Sequence, residues 1–212
     1  MSASPDVPPP SARRARPLPP DQRRAALIAA TLPLLREHGL EVSTRQIAEA
    51  AGVAEGTIFR AFPDKESLFA ATIEAALDRA PVIARLRQID RDLPLEASVA
   101  SIVDITRGWL RSVITLMMAL HRSPSFRERH PHKPATSSDD IEDLVIELLE
   151  AHRNELRLPS RQVARLLRML VFSSSHPVLA ETDSSDGPMP TQLIVDVVLN
   201  GARRRSEGEP CC

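Results

Sequence analysis

VSTRQIAEAAGVAEGTIFRAFPDKESLF, residues 42–69, is the stretch from which the fold can be read. Residues 44–51 form a short helical pattern. Ser43 or Thr44 offers a side-chain oxygen to the free amides of its first turn, and Ile47, Ala48 and Ala51 fall on one face. Gly52 ends it. After the Gly52-Val53 turn, residues 54–62 are long enough for another short helix, which Pro63 closes; Asp64 then caps a longer helix that starts near Lys65. Ala48, Ala51 and Gly52 are small where two short helices cross closely, and Ile47, Val53 and Ile58 fill the space between them. This succession is helix-turn-helix organisation.

The pattern extends in both directions. Upstream, Leu27, Thr31, Leu34, Leu35 and His38 recur at three- and four-residue spacing, which predicts a helix from Asp21 that Gly39 stops, with a kink expected at Pro33. Residues 1–20 hold Pro5, Pro8, Pro9, Pro10, Pro17, Pro19 and Pro20, which remove backbone donors, so a disordered arm is expected there. Downstream, Leu68, Phe69, Thr72, Ile73, Ala76 and Leu77 make a wide apolar stripe. It carries the helix from Lys65 to about residue 80, where Pro81 marks its end. Apolar periodicity returns over residues 95–121, 139–153, 160–175 and 191–205, separated by Pro-, Ser- or Asp-containing stretches. No alternating β pattern competes with it, and the expectation is an all-α chain.

Composition narrows the class. The 212 residues are 42% hydrophobic and 26% charged, as in an ordinary folded domain. The formal net charge of -1 gives no general attraction for nucleic acid; residues 21–70 carry six basic and seven acidic side chains. The apolar run 113–120 is far short of the roughly 20 residues that span a bilayer, and no secretory signal is evident. Cys211 and Cys212 are the only cysteines, which excludes a disulfide framework and fits a cytoplasmic location; they are read as incidental. His130 and His132 flank Pro131 without an acidic or cysteine partner nearby, so no metal is assigned. No cofactor is expected, nor any ordered acid-base set of an enzyme.

In order along residues 21–70, the segment resembles the N-terminal domain of the TetR/AcrR family of regulators. The residues that carry the resemblance are Thr44, Ile47 through Val53, Gly56, Thr57, Phe62, Lys65, Glu66 and Leu68. The resemblance implies an all-α dimer, each subunit with a three-helix DNA-binding domain and a C-terminal helical ligand-binding and dimerisation bundle. It implies that Thr44 and Lys65 bond phosphates of a double-stranded DNA operator, with Arg45 beside them. Ala54, Glu55, Gly56, Thr57 and Arg60 lie on or next to the recognition helix, where Arg60 suits guanine and Glu55 suits cytosine. Three positions depart from the family pattern. Phe59 stands for a usual Tyr and lacks its hydroxyl, Ala61 for a common His or Tyr, and Asp64 for Ser or Asn.

The division expected is an arm (1–20), a helix-turn-helix domain (21–66), a ligand-sensing and dimerisation domain (67–205) and a tail (206–212). In the sensing domain, Trp109, Met117, Met118, Phe126 and Phe172 are candidates to line an apolar pocket for a small-molecule effector, because thioethers and rings adapt to irregular ligands. Val163, Leu166, Leu167, Leu170, Val171, Leu193, Val197 and Val198 are candidates for a homodimer interface built from the last two helices. Arg13, Arg14 and Arg16 in the arm are candidates for minor-groove contact, with a solvated tail as the plainer reading. The alternative to a ligand-released repressor is a helical interaction module or enzyme that keeps the helix-turn-helix as scaffold.

Overall fold

The computed structural model describes residues 19–124, 126, 139–176 and 189–202. Arg13, Arg14, Arg16, His130, His132, Cys211 and Cys212 lie outside the described residues. Helices account for about four-fifths of the described chain, and no β-strand occurs among these residues.

Helix α1 is Pro20–His38. Proline at its first turn removes an N–H that has no intrahelical acceptor there, so the helix takes in Pro20, which composition had put in the arm. Leu27, Thr31 and Leu35, four residues apart, are buried, and the Thr31 hydroxyl donates to the Leu27 carbonyl at 2.7 Å. His38 stays exposed and Gly39 takes the buried position, opening a single 3-10 turn, Gly39–Glu41. Helix α2 is Thr44–Ala51. The next segment begins with a 3-10 turn, Glu55–Thr57, and only then becomes α3, Ile58–Ala61. Helix α4 is Lys65–Leu77.

Pro81, expected to end α4, instead stands in the first turn of a further helix, α5, Ala80–Arg87. The break comes earlier, at Asp78, whose carboxylate accepts the Ala80 N–H at 2.9 Å. Pro81 is tolerated for the same reason as Pro20. Helix α6, Leu95–His121, runs for 27 residues, about 40 Å. Helices α7 (Asp139–Glu150), α8 (Ser160–Ser175) and α9 (Thr191–Ala202) complete the described fold.

Two apolar cores result. One gathers Leu27, Leu35, Val42, Ile47, Ile58, Phe62 and Leu68, and also takes in Leu116, Leu120 and Phe126 from the end of α6 and beyond. The other joins α5, the first half of α6, α7, α8 and α9 through residues such as Leu86, Val99, Val103, Leu149, Val163 and Ile194. Helix α6 belongs to both. Its junction with the N-terminal helices is close: Gly39 has φ 60°, and a Cβ there would meet the Ala119 carbonyl oxygen at 2.7 Å. Arg36 donates to the Ser112 hydroxyl and Arg122 to the Glu37 carbonyl, so polar contacts flank this packing.

Candidate nucleic-acid interface

Local chemistry builds the head from the backbone upward. At the start of α2, the Ser43 hydroxyl accepts the Gln46 N–H at 3.2 Å while the Gln46 side chain accepts the Ser43 N–H at 2.8 Å. This reciprocal cap answers two amides that a helix start leaves unpaired. At the other end Gly52 adopts φ 65° and ψ 32°, and its N–H turns back to the Ala48 and Glu49 carbonyls. The turn hands the chain to α3 with Ile47 and Ile58 completely buried between the two short helices.

On α3, Ile58 and Phe62 are buried anchors four residues apart, and Phe59 and Arg60 between them are exposed, Phe59 by 51%. Ala54, Glu55 and Gly56 are exposed and Thr57 is half-buried. Thr44 opens α2 and donates its hydroxyl to the Glu55 carboxylate, tying the first residue of α2 to the turn before α3. Arg45 is exposed next to it. Lys65 is half-buried at the start of α4; its ammonium reaches the Leu40 carbonyl at 3.4 Å and lies 5.0 Å from the centre of the Phe69 ring. Asp64 caps α4 by accepting the Ser67 N–H at 2.7 Å. Hydrogen bonds from the Ser67 side chain and then its backbone favour the carboxylate and lower the Asp64 pKa below its ordinary value.

Sequence reasoning missed Arg24. Its guanidinium lies 4.0 Å from the centre of the Phe62 ring and donates to the Ala61 carbonyl at 2.7 Å. An arginine from α1 thus answers a free carbonyl at the end of α3 and stacks on its anchoring ring. No local signal marks it, because the partner is 37 residues away.

A cavity of about 570 Å³ lies among α6, α7 and α8, with Arg79 contributing from the α4–α5 corner. Trp109 and Phe172 line it; Met117, Met118 and Phe126 do not. Met117 and Phe126 pack in the N-terminal core instead, and Met118 is exposed. The reason is distance along α6: Met117 is eight residues past Trp109, about 12 Å of helix rise, and falls in the other core. Arg168 and Glu142, both in the lining, pair at 3.3 Å.

The eight residues expected at a subunit interface divide by helical phase. Val163, Leu167, Val171 and Val198 face inward and are buried. Leu166, Leu193 and Val197 are exposed, Val197 by 56%, and Leu170 is half-buried. Met169, exposed by 59%, lines the cavity instead.

A rigid short helix that presents Phe59 and Arg60, braced from behind by α2 and locked at its end by Arg24, defines a helix-turn-helix DNA-binding regulator. Residues 27–72 match the family described as bacterial regulatory proteins, tetR family. Two relatives extend the likeness over most of the chain. One is the HTH-type transcriptional repressor KstR of Rhodococcus jostii (strain RHA1), 28% identical over 190 residues, 88% of this chain and 87% of that protein. The other is the HTH-type transcriptional repressor Rv1474c of Mycobacterium tuberculosis (strain ATCC 25618 / H37Rv), 25% identical over 186 residues, 86% of this chain and 94% of that protein. The fold is also that of the TetR transcriptional regulator SCO0520 from Streptomyces coelicolor, with a TM-score of 0.55, 22% identity, and coverage of 86% of this chain and 99% of that one. No described helix is long and apolar enough to cross a membrane.

Proposed function

We propose that the protein is a cytoplasmic, homodimeric transcriptional repressor that leaves a near-palindromic operator when a small-molecule effector fills the cavity among α6, α7 and α8. The observation that carries the DNA-reading part is the arrangement of α3, in which Ile58 and Phe62 are buried while Phe59 and Arg60 stand in solvent. A four-residue helix has little stability of its own. Its side chains are held ready for base edges only because both anchors are seated. Arg60 and Glu55 are the proposed readers, with Ala54, Gly56 and Thr57 allowing close approach. Thr44, Arg45 and Lys65 are the proposed phosphate contacts, which fix position without reading sequence.

Two more features support the regulatory part. The cavity has the size of small-molecule sites, about 300–1,000 Å³, and Trp109 and Phe172 sit in its apolar wall. The helix that lines it, α6, also closes the core of the DNA-binding domain through Leu116 and Leu120. Effector and operator binding are therefore coupled, and linkage makes the coupling reciprocal. Residues 21–66 are the proposed reading head and residues 67–205 the sensing and dimerisation part. The exposed Leu166, Leu193 and Val197, with Leu170, are the proposed contact between subunits, and the dimer sets recognition helices roughly 34–36 Å apart.

The test is selection of bound sequences from a random duplex pool, followed by titration of the best site at two salt concentrations on protein whose oligomeric state is measured. A dimer that enriches one palindrome supports the proposal. Sequence-blind, salt-sensitive binding by a monomer refutes it.

A further inference from the structure

The wall of the cavity is apolar over most of its extent, with Ile102, Leu110, Ile141, Val145, Leu167 and Phe172 around it. Its polar groups are less evenly matched. Glu142 and Arg168 are paired at 3.3 Å, so these two charges answer each other. Arg79 also lines the cavity, half-buried, and its guanidinium has no hydrogen-bond or ion-pair partner among the described residues. Trp109, in the same lining, has its Nε1 donor buried without an acceptor. The site therefore holds a surplus of donors and one unmatched positive charge.

A neutral apolar molecule fills such a wall but leaves these donors unanswered, and a cation is repelled by Arg79. A carboxylate accepts two parallel N–H bonds from a guanidinium. We propose that the effector is an apolar molecule carrying one anionic group, a carboxylate, and that Arg79 is the residue that binds the charge. This rests on the reading of the cavity as the effector site. The position of Arg79 gives the charge a consequence. It stands between Leu77, the last residue of α4, and Ala80, the first of α5, at the corner made by the Asp78 carboxylate. Helix α4 begins at Lys65, so a pull on Arg79 acts on the helix whose other end is the proposed phosphate contact.

The test uses the full chain and a neutral apolar fluorophore, 1-N-phenylnaphthylamine, displaced by sodium dodecanoate, by 1-dodecanol or by dodecyltrimethylammonium below their micelle concentrations. In the wild type, dodecanoate displaces the fluorophore at roughly tenfold to hundredfold lower concentration than dodecanol, the value of a charge-assisted hydrogen bond, and the ammonium is weaker than the alcohol. In Arg79→Gln the acid and the alcohol become equal, and retained fluorophore binding shows that the cavity is intact. Arg79→Lys keeps part of the preference, and the paired exchange Glu142→Gln with Arg168→Gln, which removes both members of the ion pair, keeps it. Equal displacement by acid and alcohol in the wild type, or a preference that survives Arg79→Gln, overturns the proposal while leaving the cavity as an effector site. If neither the fluorophore nor any of the three binds, the effector-site reading fails as well.

Discussion

Replacing Gly39 by alanine tests how the DNA-binding helices are seated on α6. Gly39 has φ 60°, and an added Cβ would lie 2.7 Å from the Ala119 carbonyl oxygen, a backbone atom of a long buried helix that cannot swing aside. Two costs add. An L-residue held at this backbone conformation costs about 1–3 kcal/mol, and forcing extra volume into a closed contact costs about 1–3 kcal/mol more. The total is about 2–6 kcal/mol, against a domain stability of about 5–15 kcal/mol. Gly52→Ala is the internal comparison. Gly52 has φ 65°, but nothing lies within 4 Å of its added Cβ, so only the backbone term of about 1–2 kcal/mol applies. Both exchanges stiffen the unfolded chain alike, and that effect cancels between them. Urea unfolding, monitored by circular dichroism at one fixed protein concentration, reads the difference. With a slope near 2 kcal/mol per molar, a 4 kcal/mol loss moves the Gly39→Ala midpoint down by about 2 M, and Gly52→Ala moves it by about 0.5–1 M. A Gly52→Ala loss equal to or larger than that of Gly39→Ala, or a Gly39→Ala midpoint within error of wild type, would refute the close-contact argument.

Lys65→Ala should weaken binding to every duplex alike and reduce the slope of log affinity against log salt by about 1, whereas Arg60→Ala should relax preference at one base pair by about 1–3 kcal/mol; uniform loss for Arg60→Ala in a salt-series titration contradicts its role. Phe59→Tyr restores the hydroxyl that the family pattern has at this exposed position, and should tighten binding to specific and random duplexes by roughly five- to tenfold. No change by fluorescence anisotropy would show that position 59 does not face the DNA backbone. Val197→Glu places a charge on the outer face of α9 and should yield a folded monomer by light scattering that no longer binds a palindrome tightly; a dimer of wild-type strength points to a different interface. Asp64 has its folded pKa lowered, so its cap is fully present above the ordinary aspartate value of 3.8 and is lost as pH falls through the lower folded value. Carboxyl NMR should titrate below 3.8, and a midpoint at or above it shows that the Ser67 bonds do not persist in solution.

What the sequence made legible was local. Ser43, Gln46 and Gly52 mark the ends of α2 through their immediate neighbours, and the bounds of α6 follow from an apolar period that runs unbroken for 27 residues. The distinction between inside and outside was less accessible. Helix α8 is apolar on two faces, so periodicity alone does not say that Val163 is buried and Leu166 is exposed; that depends on which neighbours cover each face. Pro81 was ambiguous because proline both ends one helix and suits the first turn of the next. Arg24 on Ala61 and Gly39 against Ala119 are contacts between distant parts of the chain, and neither residue carries a mark of its partner. The cavity was legible only in Trp109 and Phe172, which line it from different helices, since a list of adaptable side chains contains no distances.

Under the proposed reading of Thr44 and Glu55, the bond between them makes operator binding an exchange. Without DNA, the Thr44 hydroxyl already has an anionic oxygen to donate to, supplied by the protein. In the proposed complex a phosphate takes over that hydroxyl, and Glu55 is released beside a polyanion. A cytosine amino group at the right step gives the displaced carboxylate a new donor. At any other step the carboxylate is left facing negative charge, so the same residue that favours one sequence makes wrong sequences repel. Specificity at this position then comes as much from rejection as from attraction, which suits a head whose own charge is close to balanced.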